Sequence, residues 1–194
     1  MGCASDNPKA NLRKEIGQRL AQLGVKEIQR RSALACGHLV ERYPAPGTAM
    51  AYLSLPGEAD PAGAIAMWRM RGVRVAVPRV NWADKSMEPA LLGTGLGTAG
   101  GELVESKFGL REPGADAPAV PIEEIGLVIV PALAYSRSGE RLGRGGGFYD
   151  RFLARLSPGA VTVGLVLSCQ VVDEVPAEAH DMSVGVVITE DGPV

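Results

Sequence analysis

Apolar residues recur at helical spacing near the start of the chain. Leu12, Ile16, Leu20 and Leu23 form one face of a helix that Gly24 would stop. Pro8 suits its first turn, where a missing N–H does no harm. A second helix is predicted from about Lys26 to Tyr43, ending before Pro44 and Pro46. From about residue 48 the texture changes to short apolar runs: TAMAYLSL (48–55), VRVAVPRV (73–80), LVIVPALAYS (127–136), VTVGLVLS (161–168) and VGVVIT (184–189). They show little strict alternation, which suits strands buried on both faces. Between the first two lies DPAGAIAMWRMRG (60–72), with Pro61 in a first turn and Gly72 past the end. Between the third and fourth lies a glycine-rich turn followed by FYDRFLARL (148–156). Strand, helix, strand, twice over, predicts an α/β fold. The expectation is a Rossmann-like, three-layer single domain over 1–194, with a mainly parallel sheet flanked by helices. Its N-terminal helices cover about 8–42, and its βαβ units begin at about 48. Residues 81–121, rich in glycine, proline and polar residues, read as loops with one or two short strands. A stretch that long is functional or holds structure of its own.

Composition narrows the function classes. Hydrophobic residues make up 46% and charged residues 22%, ordinary values for a globular protein. The net charge of −2 gives no global field toward nucleic acid or an anionic membrane, so any bound anion must be held by local donors. Cys3, Cys36 and Cys169 are far apart and form no CxxC pair, which argues against structural zinc and a disulfide framework. The N-terminus lacks the apolar core of a signal peptide, and no apolar run is long enough for a transmembrane helix. Met-Gly-Cys opens the chain as in some lipidated proteins, but Asp6 departs from the myristoylation pattern. A cytoplasmic monomer acting on small molecules, with no nucleic-acid or membrane partner, is expected.

The most informative local feature is RLGRGGGFYD (141–150). Gly143, Gly145, Gly146 and Gly147 allow close approach of a ligand to the main chain, and consecutive N–H groups can form an anion cradle. The loop opens a segment with Phe148, Phe152, Leu153 and Leu156 on its buried side, so it sits at a helix start, where free N–H groups favour phosphate. Arg141 and Arg144 add charged donor forks. A Walker A loop would end in Gly-Lys-Ser/Thr, and GxGxxG from Gly143 would need glycine where Phe148 stands. The bland alternative is a surface loop with a glycine cap. Asp150 is either a charge favourably placed against a helix dipole or a Mg²⁺ ligand beside nucleotide phosphates. His180–Asp181 invites comparison with histidine-rich metal hydrolases, but the only other histidine is His38, so a hard-cation carboxylate site fits better. Trp68 and Trp82 could stack on a flat ligand. Trp68, on an amphipathic segment, reads as packing.

VPALAYSRSGERLGRGGGFYDRFL (130–153) resembles the signature of the 5-formyltetrahydrofolate cyclo-ligase family. Lys9, Leu12 and Arg13 are similar to its K-x-x-L-R element, and AYLSLPGEAD (51–60) to its Y-L-S-x-x-x-E segment. FGLREP (108–113) resembles F-G-I-x-E-P, and GLVLSCQVVDEVPAEAHD (164–181) the distal stretch ending in His-Asp. The resemblance implies ATP- and Mg²⁺-dependent conversion of 5-formyltetrahydrofolate to 5,10-methenyltetrahydrofolate, ADP and phosphate through a phosphorylated imidate. It implies triphosphate contacts from Lys9 and Arg13, and a nucleotide loop from Arg141 through Leu142, Gly143, Arg144, Gly145, Gly146, Gly147 and Phe148 to Tyr149. It further implies folate contacts from Leu53, Glu58 and residues 144–148, metal-linked carboxylates at Asp150 and Asp181, and catalytic roles for Arg144 and Lys9. The sequence departs from the pattern at Ser136, where the family has aspartate, and at Asp60–Pro61, where it has an acid and threonine.

Overall fold

The computed structural model describes residues 7–93, 103–105, 111–178 and 180–194. Two N-terminal helices, α1 (Pro8–Leu23) and α2 (Val25–Arg42), meet at Gly24, whose φ of 72° lets one end as the other begins. Asn7 caps α1 by accepting the N–H of Ala10 at 3.2 Å. The apolar runs then become neighbouring strands. β1 (Thr48–Met50) is followed by α3 (Ala62–Met70), β2 (Arg74–Asn81) and β3 (Ser86–Leu91); β4 (Leu103–Glu105) and β5 (Arg111–Pro113) form a small separate pair. Next come β6 (Ile125–Val130), β7 (Ala134–Ser136), β8 (Arg141–Leu142), α4 (Phe148–Leu153), β9 (Val161–Leu165) and β10 (Val171–Val172). β11 (Val186–Thr189) and β12 (Gly192–Pro193) close the chain.

The main sheet runs β12-β11-β9-β6-β1-β2-β3. Its pairings from β11 to β2 are parallel, and only the edge strands β12 and β3 are antiparallel. Side chains alternate faces along each strand. Ala49, Val75, Leu127, Ile129 and Ile188 pack with Leu39, Val40, Ile65 and Trp68 of α2 and α3. Met50, Ala76, Val128, Val130 and Val187 pack on the opposite face with Phe152 and Leu153 of α4. Both faces are covered, as the unalternating runs require. Each large aliphatic so buried contributes about 1.5–3 kcal/mol. α1 lies outside this sandwich and packs Ile16 and Leu20 against Ala134, Leu142 and Leu167 beside the three-stranded sheet β10-β7-β8.

In chain order the parallel strands run 2-1-3-4-5. This is the flavodoxin-like form of the doubly wound sheet, which sharpens the Rossmann-like expectation. Crossovers leave β1 toward β2 and arrive at β6 on its other side, so the crevice outside the carboxyl ends of β1 and β6 is the topological switch point.

Several predicted elements need correction. LVIVPALAYS is two strands, because Pro131 has no N–H to continue a ladder and the chain leaves the main sheet there. Only the first three residues of TAMAYLSL are strand; the rest turns into the crevice. Residues 81–121 contain a six-residue antiparallel strand, β3, paired with β2 from Ala76–Leu91 to Asn81–Ser86. Residues 94–102 and 106–110 of that stretch lie outside the described residues. The segment after the glycine loop is a helix of only 6 residues. Its dipole is correspondingly small, and field at the loop must come mostly from side chains. No helix among the described residues is long and apolar enough to cross a membrane.

Candidate active site

A cavity of about 530 Å³ opens at the switch point, within the usual size of a small-molecule site. Tyr52, Leu53, Leu55 and Glu58 reach it from the chain leaving β1, and Pro131 and Ala132 from the chain leaving β6. Pro78, Val80 and Met87 of the β2–β3 hairpin make an apolar wall. Lys9 and Arg13 enter from α1, and the glycine loop with Phe148, Tyr149 and Asp150 closes the opposite side. The site residues that the family resemblance implies line this one space: Lys9, Arg13, Leu53, Glu58, each of 141–150 and Asp181.

The glycine loop is set by local conformation. Gly145 (φ 96°) and Gly147 (φ 67°) occupy positive-φ positions. A Cβ on Gly146 would stand 2.8 Å from the Phe148 ring. Backbone N–H groups of 144–147 donate to no carbonyl among the described residues, so they remain available to an anion. Arg151 ties the outer side of the loop down, donating to Gly146 O at 3.0 Å and to Lys85 O at 3.0 Å.

Charges in the cavity are paired across elements. Lys9 Nζ donates to Glu178 Oε1 and Asp181 Oδ2, each at 2.8 Å. Those bonds raise the Lys9 ammonium above its ordinary range. Burial alone would push the Asp181 carboxyl up, but Lys9 and the Glu178 N–H outweigh it and hold it down. Arg13 Nε donates to Gly143 O at 3.0 Å. Arg144 donates from Nε and Nη2 to Glu58 Oε1, both at 2.8 Å. The second Glu58 oxygen accepts the Leu55 N–H at 2.9 Å, and the turn between them uses Gly57 at φ 85°. Tyr52 fixes this loop from beneath by donating to Ala59 O. Burial, with the nearby Glu58 charge, pushes the Tyr149 hydroxyl well up, so it stays protonated as a donor.

Asp150 Oδ1 accepts the N–H of Met182, the residue after Asp181, at 3.0 Å, and both aspartates line the cavity. Arg141 donates to the same Asp150 oxygen and to Met182 O. Oδ2 of Asp150 accepts no hydrogen bond among the described residues. Among the described residues no three His, Cys, Asp or Glu side chains gather as a metal cage. Two hard carboxylates that need substrate oxygens to complete a shell fit Mg²⁺, which ordinarily binds through one or two carboxylates, phosphate and water. His180 stands 3.8 Å from Glu178 and from Asp181 and is largely exposed, whereas His38 bonds to Glu190 O at 3.1 Å on α2, away from the cavity.

The family model described as the 5-formyltetrahydrofolate cyclo-ligase family matches residues 5–190. The chain belongs to the 5-formyltetrahydrofolate cyclo-ligase family. A relative of that name from Escherichia coli (strain K12) is 33% identical over 73% of this chain and 77% of its own. One from Mycolicibacterium smegmatis is 48% identical over a shorter alignment, 46% of each chain, so there the match spans about half the relative's length. The solved structure of the 5,10-methenyltetrahydrofolate synthetase of Aquifex aeolicus superposes with a TM-score of 0.78 at 26% identity, covering 95% of this chain and 91% of that one. Membership makes the chain an enzyme of the cyclo-ligase class.

Two departures from the cyclo-ligase pattern acquire physical accounts. Ser136 is fully buried and closes the β7–β8 turn, bonding Ser138 Oγ at 2.9 Å and accepting the Glu140 N–H at 3.1 Å. It does not line the cavity. Asp60 accepts the Ala62 N–H at 3.0 Å and, with Pro61, starts α3. Trp68 is core, donating to Tyr43 O at 2.8 Å, while Trp82 lines the cavity edge-on to Phe148 at 5.4 Å. Sequence reasoning did not single out Tyr52, Glu178, Arg111 or the wall of Pro78, Val80 and Met87. Burial along β2 and β3 does not alternate, and a proline stands in each strand, so no local pattern marked that wall.

Proposed function

We propose that this chain cyclises 5-formyltetrahydrofolate to 5,10-methenyltetrahydrofolate with consumption of ATP. The supporting observation is the 2.8 Å contact between Glu58, on the apolar side of the cavity, and Arg144, on the glycine loop. A pterin-binding carboxylate and a phosphate-binding guanidinium thus meet in one space.

A formamide carbonyl is a poor electrophile, and its oxygen a poor leaving group. ATP addresses both: the formyl oxygen attacks the γ-phosphorus, ADP departs, and N10 then attacks the activated carbon. N10 loses its proton, and the former formyl oxygen leaves with phosphate. Glu58 accepts paired N–H groups of the pterin in bidentate fashion, beside Leu53 and the Pro78–Val80–Met87 wall. The 143–147 loop amides, Lys9, Arg13 and Leu142 to Tyr149 take the triphosphate, with residues 144–148 also meeting the folate. Arg144 and Lys9 stabilise charge on the transferring phosphoryl group, so positioning and electrostatics carry the rate. Asp150 and Asp181 hold Mg²⁺, which shields phosphate charge when bound. All these groups come from one chain, which supports an enzyme that works as a monomer.

The test is direct. Purified protein mixed with 5-formyltetrahydrofolate, ATP and Mg²⁺ should raise near-ultraviolet absorbance as the methenyl product forms, and omission of ATP should abolish the rise. A folded protein that binds ATP but gives no such product would sink the proposal.

A further inference from the structure

Arg141 stands in the nucleotide loop by sequence, yet its guanidinium is committed elsewhere. Its side chain is 5% exposed, the most buried of the cationic side chains paired in the cavity. Nε donates to Met182 O at 2.9 Å, and Nη2 to Asp150 Oδ1. Met182 N in turn donates to that same oxygen at 3.0 Å. Three elements are knotted here: β8, the first turn of α4, and the segment that carries Asp181. Arg144 and Lys9 differ in kind, since their side chains are 51% and 21% exposed and their partners are side-chain carboxylates that a ligand can displace.

From this knot, and resting on the reading that Asp150 and Asp181 receive a divalent cation, we infer that Arg141 is a positioning residue for the carboxylate pair rather than a phosphate contact. It fixes one oxygen of Asp150 and leaves Oδ2 for the cation. By gripping Met182 O it also sets the distance between Asp150 and the neighbouring Asp181. Its positive charge also offsets the repulsion between the two carboxylates. Only a planar fork reaches a carboxylate and a carbonyl on different segments at once; an ammonium on a flexible stem does not hold both directions. Removing a partner that orients a metal ligand typically costs about 10–100-fold in metal affinity.

The probe is Mn²⁺, followed by electron paramagnetic resonance in the presence of ADP, with ADP affinity measured separately in EDTA. Arg141→Lys keeps the charge and loses the fork; Arg141→Gln, as a second variant, removes the charge and keeps a donor, so the outcome does not hang on one substitution tolerating burial. Expected is a loss of Mn²⁺ affinity of about 10–100-fold, toward the level of Asp150→Asn, with ADP affinity in EDTA near wild type. A parallel fall in metal-free ADP affinity would instead make Arg141 a phosphate contact. Unchanged Mn²⁺ affinity in folded variants, or a wild type that binds no Mn²⁺, would also overturn the inference. Wild-type product formation is scored on its own: an inactive wild type that still shows the Mn²⁺ pattern defeats the proposed reaction and not this role.

Discussion

Arg144 and Lys9 are the residues on which the chemistry should turn, and the geometry separates their effects. Arg144 is half-exposed, so Arg144→Ala should leave the thermal transition nearly unmoved. Loss of a preorganised donor to the transferring phosphoryl group should lower kcat by about 10²–10³-fold, read from the absorbance assay. Lys9 carries a pH signature. Asp181 and Glu178 are held below their ordinary values of 3.8 and 4.5, so their contribution is present above those values and is lost as pH falls through the lower folded ones. Lys9 is held above 10.5, so its contribution is complete below that value and disappears as pH rises past the higher folded one. A Lys9→Met variant should therefore trail wild type in stability across neutral pH and converge with it at both extremes, as urea titrations at several pH values will show. How much of this was legible beforehand depended on chain distance. The loop at 141–150 is contiguous, so its glycines and arginines alone raise anion binding against a plain surface loop. The cluster of Lys9, Glu178 and Asp181 is assembled from opposite ends of the chain. Family resemblance supplied Lys9 and Asp181, and nothing in the local sequence pointed to Glu178.

At the scale of elements, the buried parallel strands were readable because runs such as LVIVP and VTVGL need apolar partners on both sides. Their ends were not. Whether a run continues in the sheet depends on what the neighbouring strand offers, and at Pro131 and after Met50 the chain turns away to build the crevice. β3 was illegible for a related reason: SMEPAL has little strand character alone and is held by its pairing with β2 and by Met87 in the core. Close packing between elements gives a further expectation. A Cβ on Gly164, in β9, would lie 2.5 Å from the ring of Tyr135, which is fully buried and donates to Val130 O at 2.8 Å. Gly164→Ala should cost about 1–3 kcal/mol by overpacking, measured as a lowered urea midpoint. Gly159→Ala, with open space around it, serves as the control.

For the molecule as a whole, the 2-1-3-4-5 order places one crevice where the loops of β1 and β6 diverge, and α1 and the glycine loop fold over it from outside the sheet. The fold thus joins two half-sites that the sequence keeps far apart, and the Glu58–Arg144 bond is the seam between them. On the proposed assignment of Glu58 to the pterin and Arg144 to phosphate, that bond should couple the affinities of the two substrates. A phosphate that draws Arg144 away leaves Glu58 ready for a pterin, and a pterin that occupies Glu58 returns Arg144 to the phosphates. Linkage requires each ligand to tighten the other by the same factor, and for a pair with one half-exposed partner that factor should lie near the low end, about 5-fold. Calorimetric titration of ATP with and without a non-formylated folate would measure it. Glu58→Gln, with Arg144 released in advance, should bind ATP more tightly in the absence of folate and lose the synergy. Such coupling would leave the order of binding open and disfavour either substrate alone.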